Sequence, residues 1–287
     1  MSIELYSIKY TPSGPLPEGI SGPFRHVILM FRELLSAREL IWRLFLRDFS
    51  ARYRQSVLGI AWAVLMPLAT AGIFVILNRA GVLEIGEIPV PYPVYALLGL
   101  TAWNLFSVGI VAASNSIINA GSMVVKINFP KISLVIAATA QAIVGMLIMI
   151  PVLVALFLWY GITPSVQGIF LAFLALLPLY LLTLGLGFIL SLAAGVLRDI
   201  PNVMGIIMTA LMLLTPILFQ APQATAFEYI NAWNPLNFLV NGVRDLVLRG
   251  AMNAPSGYLY SAIFAIVIFL LGWRVFYFAQ TKIAERI

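Results

Sequence analysis

The chain has 287 residues, 62% of them hydrophobic and only 10% charged, with a formal net charge of +6. Soluble domains carry about 25% charged residues and could not hide this much apolar surface, so lipid must solvate most of the chain. With no cysteine and a single histidine, His26, the composition excludes disulfides, thiolate catalysis, cysteine metal sites and multi-histidine metal clusters. The basic residues stand beside apolar runs, a placement that anionic lipid and the positive-inside bias explain better than nucleic acid does.

Residues 1–31 read as a flexible cytoplasmic tail. Pro12, Pro15, Pro17 and Pro23 stand among glycines there, and the apolar stretch of a cleavable signal peptide is missing. An amphipathic helix is predicted over 32–55, followed by a membrane domain over 56–287. On a helical wheel Leu34, Leu35, Ile41, Trp42, Phe45, Leu46, Phe49 and Tyr53 share one broad face, with Glu39, Arg43, Arg47 and Arg54 opposite. Glu39 with Arg43 and Asp48 with Arg52 are favourable i,i+4 pairs, worth about 0.3–0.5 kcal/mol each. Arg38 and Arg52 fall on the apolar side, where they snorkel or meet a partner. Two readings fit the segment: an anchor on the membrane surface, or a helix whose polar face docks on a cytosolic subunit.

A bilayer core of about 30 Å needs roughly 20 apolar residues per helix. Six stretches qualify, near 57–78, 94–118, 132–160, 169–197, 203–220 and 258–279. The fifth is the shortest, bracketed by Pro201 and Pro216. With the N-terminus inside, every basic residue except Arg79, Arg244 and Arg249 falls in a cytoplasmic segment, so both termini are expected on that side. Residues 221–256 are too long for a tight turn and too apolar for a solvated loop. Two short helices broken at Asn234-Pro235 fit there, either as a re-entrant hairpin on the outer side or as interfacial loop helices.

The spans hold almost no ionisable residues, which argues against coupling to protons or sodium. Uncharged polar groups gather in the second span: Thr101, Asn104, Ser107, Ser114, Asn115 and Ser116. Aromatic Trp62, Trp103, Phe106 and Tyr180 lie within or near spans. Rings with hydroxyl and amide partners suit sugars, and they suit helix packing or an interfacial belt as well. Ala137, Ala138, Ala142 and Gly145 form a small-residue strip for close helix contact, within the subunit or across a dimer seam. No carboxylate pair, nucleophile–base set or metal-ligand spacing points to catalysis. No phosphate-loop motif occurs, so nucleotide energy has to come from another polypeptide.

Arg52-Tyr53-Arg54-Gln55-Ser56-Val57-Leu58-Gly59-Ile60-Ala61-Trp62, followed by Pro67, resembles the opening signature of ABC-2 type permeases that export polysaccharide. These are the membrane subunits of O-antigen, capsular-polysaccharide and teichoic-acid exporters. Lys126-Ile127-Asn128-Phe129-Pro130-Lys131, Arg198-Asp199-Ile200 and Asn234-Pro235 through Arg244 match in order, so the resemblance covers roughly residues 30 to 287. It implies an all-α integral membrane fold of six spans, with an N-terminal interface helix and short extracytoplasmic helices before the last span. It also implies a homodimer in the bacterial inner membrane, paired with two cytosolic ABC ATPases. ATP and magnesium would then be bound by the ATPase, with no cofactor or metal in this chain. Arg43, Arg47, Lys126, Phe129, Pro130 and Lys131 become the ATPase-coupling residues. Arg52 and Arg54 become an entrance for the polyprenyl diphosphate of a lipid-linked glycan, each contributing about 1 kcal/mol of surface attraction; ordinary positive-inside topology explains the same two arginines. Trp62, Trp103, Asn104, Phe106, Tyr180 and Trp233 are the expected channel residues. Two other readings compete: an exporter of a small lipid or drug, and a membrane enzyme acting on polyprenyl phosphates. The enzyme would have to use Glu84, Glu87, Glu228 or Asp245, the outward acids.

Overall fold

The computed structural model describes residues 32, 34–54, 58–81, 86, 88–121, 123–126, 129–220 and 226–283. Among them all regular structure is helical. Helix α1 (Arg38–Arg54) is followed by a 3₁₀ turn, Gly59–Ala61, and by α2 (Trp62–Arg79). Then come α3 (Tyr92–Ala120), the one-turn α4 (Met123–Lys126), α5 (Ile132–Tyr160) and α6 (Val166–Val196). The chain ends with α7 (Ile200–Leu214), α8 (Ala226–Ala232), α9 (Pro235–Arg249) and α10 (Pro255–Ile283). The tail over 1–31 lies outside the described residues.

Among the described residues five helices are long and apolar enough to cross a membrane: the stretch Gly59–Arg79, then α3, α5, α6 and α10. The expected fifth span over 203–220 is helical only in part, so length and composition alone do not reach the count of six. Helix α7 stops at Leu214 and is 15 residues long, or about 22 Å. The cause is Pro216. A residue before proline is pushed out of the helical region, and Thr215 is extended at φ −100°, ψ 129°.

Helix α3 is the hub, touching α2, α5, α6, α7 and α9. Its most apolar stretch is 78% buried, against 11% for the stretch leading into α2, which places α2 at the margin. Hydroxyls inside the bundle bond back to their own helix. Thr101 donates to the Leu97 carbonyl, Ser116 to Ala113, Thr139 to Val135 and Thr183 to Leu179. This satisfies each group locally and makes these hydroxyls compatible with dry packing. Ala137, Ala138 and Ala142 are buried within the subunit, whereas a Cβ on Gly145 would meet open space. The three alanines therefore pack inside one copy, and Gly145 does not.

Helix α1 lies against α5. Its broad apolar face divides in two. Leu44 is buried, with Leu34, Leu40, Ile41 and Phe45 packed around the same cluster, while Leu35, Trp42 and Leu46 stay exposed. In a membrane protein that second strip has lipid to face.

Candidate functional site: a polar cleft between the interface helix and the spans

A cleft of about 960 Å³ opens where the end of α1 meets α3, α5 and α7. Arg47, Asp48 and Arg52 line it from α1, Ser107, Asn115 and Asn119 from α3, and Gln141 from α5. A second cleft of about 390 Å³ continues it toward α2 and is lined by Trp62, Met66 and Asn104. Arg52, Val108 and Gln141 border both. The walls are amides, hydroxyls and a few charges set in apolar helices. Such walls hydrogen-bond a hydrated chain without gripping it at one point.

Gln141 was not singled out from the sequence, although a lone amide inside 132–160 was there to be seen. It is buried, and its Nε2 donates to the Phe45 carbonyl of α1 at 3.0 Å. The same side chain thus holds the interface helix and borders the cleft. Gln141→Leu is expected to cost about 1 kcal/mol and loosen α1, read as faster proteolysis at 38–54.

The expected channel residues separate. Trp62 and Asn104 line the smaller cleft. Trp103 and Phe106 are 3% and 2% exposed, with ring centroids 5.6 Å apart, so they belong to the protein core. Tyr180 lines a different, apolar cleft between α1, α5, α6 and α10, its hydroxyl 3.3 Å from that of Thr139. Trp233 is 89% exposed between α8 and α9.

Of the expected entrance pair, Arg52 borders both clefts; the Arg54 side chain lies outside the described residues. The expected Asp48–Arg52 pair is not formed: Asp48 accepts from Arg47 at 2.8 Å. Arg43 pairs with Glu39 at 2.6 Å and remains exposed. Arg47 also reaches the Met123 sulfur of α4 at 3.8 Å, joining the interface helix to the following loop. Phe129 packs against the cluster that contains Leu44, and the Pro130 carbonyl accepts from Ser133. Burial pushes the Lys131 ammonium below its ordinary pKa. The Lys126 side chain lies outside the described residues. Arg47, Met123 and Phe129 therefore stand on one end of the bundle.

At the opposite end of α3 the irregular turn after α7 is buried, with Thr215 and Ile217 both inaccessible. Backbone of this kind survives at membrane depth only with partners. Arg244 of α9 donates to the Ile217 carbonyl at 2.8 Å, and Asn234 to the Thr215 hydroxyl at 2.9 Å. The Arg244 guanidinium also bonds Asn241 and lies 3.6 Å over the Tyr95 ring of α3. Gly99 makes room, since a Cβ there would sit 2.8 Å from the Ile217 carbonyl. Burial pushes the neighbouring Asp245 carboxyl above its ordinary pKa, against the opposing pull of the Asn253 N–H, Arg244 and Arg249. Arg244 was visible in the sequence as an exception to the charge bias and as the end of a matching stretch, but not as a buried group.

Membrane-crossing helices, a charged helix packed against one of them and a polar cleft between them are the parts a membrane transport subunit needs. The model of the ABC-2 type transporter family matches residues 39–248, and the chain belongs to that family. It is a multi-pass transport subunit of an ABC system, which works with an ATPase partner.

Among its relatives is the O-antigen export system permease protein RfbA of Klebsiella pneumoniae, 26% identical over 83% of this chain and 91% of the relative. RfbA of Myxococcus xanthus is 24% identical over 91% of this chain and all of the relative. The polysialic acid transport protein KpsM of Escherichia coli is 24% identical over 81% and 90%.

Proposed function

We propose that this chain is the membrane half of an ATP-driven polysaccharide exporter. Two copies form the path, and two cytosolic ATPases, which bind the ATP and magnesium, drive a lipid-linked glycan outward through it. The observation that carries this reading is the polar cleft: amide-rich, about 960 Å³, and bordered by two guanidinium groups at the interface helix. Helices α3, α5, α6 and α7 contain no Asp, Glu, Lys, Arg or His, so ion coupling has no titratable group to use there. Relatives named for O-antigen export and polysialic acid transport support the cargo class.

A second copy is supported by the margin of the cleft. Helix α2 is little buried, and Val203, Ile206 and Leu213 are exposed on α7, the helix that lends Gly205 and Met208 to the cleft. A facing copy would complete the wall of a path that one protomer leaves half built. In this reading the chain sits in a bacterial inner membrane with both termini cytoplasmic, as the charge bias favours.

The mechanism follows from the contacts. ATP closes the two ATPases, the exposed polar face of α1 and the α4 loop move with them, and Gln141 carries that movement to the cleft wall. Arg52 draws the lipid diphosphate toward the cleft. The test is ATP hydrolysis by the purified complex with its ATPase. Stimulation by polyprenyl-linked glycan and not by small lipids or drugs is expected; the reverse pattern defeats the reading. The double change Arg43→Glu, Arg47→Glu is predicted to weaken association with the ATPase at least tenfold while membrane insertion is unchanged. Undiminished co-purification would show that those side chains are not docking contacts.

A further inference from the structure

We propose that a pocket at the far end of α3 is a monosaccharide subsite, holding a pyranose ring of the glycan as it leaves the path. This rests on the polysaccharide reading above. The pocket lies near Tyr95, about 30 Å along α3 from Asn115 in the cleft. Its volume of about 310 Å³ falls within the range of small-molecule sites, roughly 300–1,000 Å³.

The floor is rigid. Arg244 is fixed by the Ile217 carbonyl, the Asn241 amide oxygen and the Tyr95 ring. Asn241 donates in turn to Asn237 at 2.6 Å, and Asn237 to the Asn231 carbonyl at 3.1 Å. At the exposed end of the same helix Arg249 donates to the Asn253 side chain at 2.8 Å, and the Asn253 backbone N–H donates to Asp245 Oδ2 at 3.1 Å. Groups already held in place lose little freedom when a ligand arrives, which favours weak but oriented binding.

These bonds do not exhaust the donors and acceptors. By inventory Asn241 keeps one amide proton, Asn253 its NH₂, Arg249 further N–H groups and Asp245 its Oδ1. All line the pocket, with the Phe238 ring beside them. A site that offers donors, a carboxylate acceptor and an aromatic ring suits a ligand whose every oxygen both donates and accepts. A simple anion meets Asp245 and a simple cation meets Arg244 and Arg249, whereas a sugar ring matches hydroxyls to both kinds of group and its C–H face to the ring.

The test uses the exporter in cells that make its glycan. Gln220, on the pocket wall, and Asn104, in the inner cleft, are each replaced by photoreactive benzoylphenylalanine, and trapped glycan is read as a glycan-stained shift of the chain. Trapping at both positions is expected. Ala254→Trp fills the pocket without touching its hydrogen bonds, and should cut trapping at 220 at least fivefold while trapping at 104 is kept. Trapping at 104 but not at 220, or trapping at 220 that Ala254→Trp leaves unchanged, overturns the subsite alone. Glycan trapped at neither position overturns the polysaccharide reading and the subsite with it.

Discussion

Gly272→Val is expected to leave almost no folded protein in the membrane. A Cβ at Gly272 would lie 2.1 Å from the Gly185 carbonyl oxygen, and one at Gly185 would lie 2.6 Å from the Phe269 Cα. Both obstacles are backbone, so neither rotamer change nor side-chain bending relieves them. Helices α6 and α10 cross here at the closest approach two backbones allow, the arrangement small residues serve in lipid. Around the crossing Phe188 packs on Phe276 at 5.4 Å, so prying the helices apart also strips a buried aromatic cluster. Overpacking ordinarily costs about 1–3 kcal/mol, and contact with main chain at this distance puts the cost at or above the upper end. The measurement is the yield of monodisperse protein in mild detergent with its thermal midpoint. Gly72→Ala is the control, because a Cβ there meets nothing within 4 Å; it should behave as the parent.

Arg244→Met should be the most damaging single change on the outer side. It strands the Ile217 carbonyl in a buried site, leaves the part-buried Asn241 amide oxygen without its guanidinium donor and removes a cation from the Tyr95 ring. The orphaned buried carbonyl costs about 1–3 kcal/mol, and a desolvated cation–π contact is worth about 2 kcal/mol. Relief of the buried charge offsets part of this, and because the partners stay in place it does not offset all of it. The net expectation is a loss of about 3 kcal/mol, with hydrogen exchange over 215–220 rising strongly. Arg244→Lys should fail to rescue, because an ammonium lacks the planar fork that reaches a carbonyl and an amide together. Combining Arg244→Met with Tyr95→Leu should give less than the sum of the separate losses. Additive losses, or unchanged exchange over 215–220, would show that this guanidinium does not hold the turn.

Several parts of this architecture were legible in the residues themselves. The span over 132–160 coincides with α5, the apolar runs near 94–118 and 258–279 lie inside α3 and α10, and that near 169–197 overruns α6 by one residue. Length and hydropathy decide those elements, and lipid imposes both. The shortened α7 was half legible. Pro216 lay inside the predicted span, and the hydropathy that ignores a proline ran past it. Facing was the harder matter. Helix α3 is buried nearly all round, so no periodicity tells Trp103 and Phe106, in the core, from Asn104 between them, at the cleft. The face of α1 was legible as apolar, but not which of its strips meets protein and which lipid.

The site divided in the same way. Arg43, Arg47 and Arg52 could be named because charge beside an apolar run demands explanation. Gln141 and Arg244 act through contacts 96 and 27 residues away along the chain, which no local pattern encodes. Arg244 did leave two marks, as a cation on the side where the charge bias forbids it and as the end of the stretch that opens at Asn234-Pro235.

The most direct test is export by this chain reconstituted in sealed vesicles with lipid-linked glycan, with and without its ATPase. The account predicts glycan crossing only when ATPase and ATP are both present, and a strong loss when Asn115→Trp narrows the cleft. Crossing by the chain alone, or full export through the narrowed cleft, would contradict it.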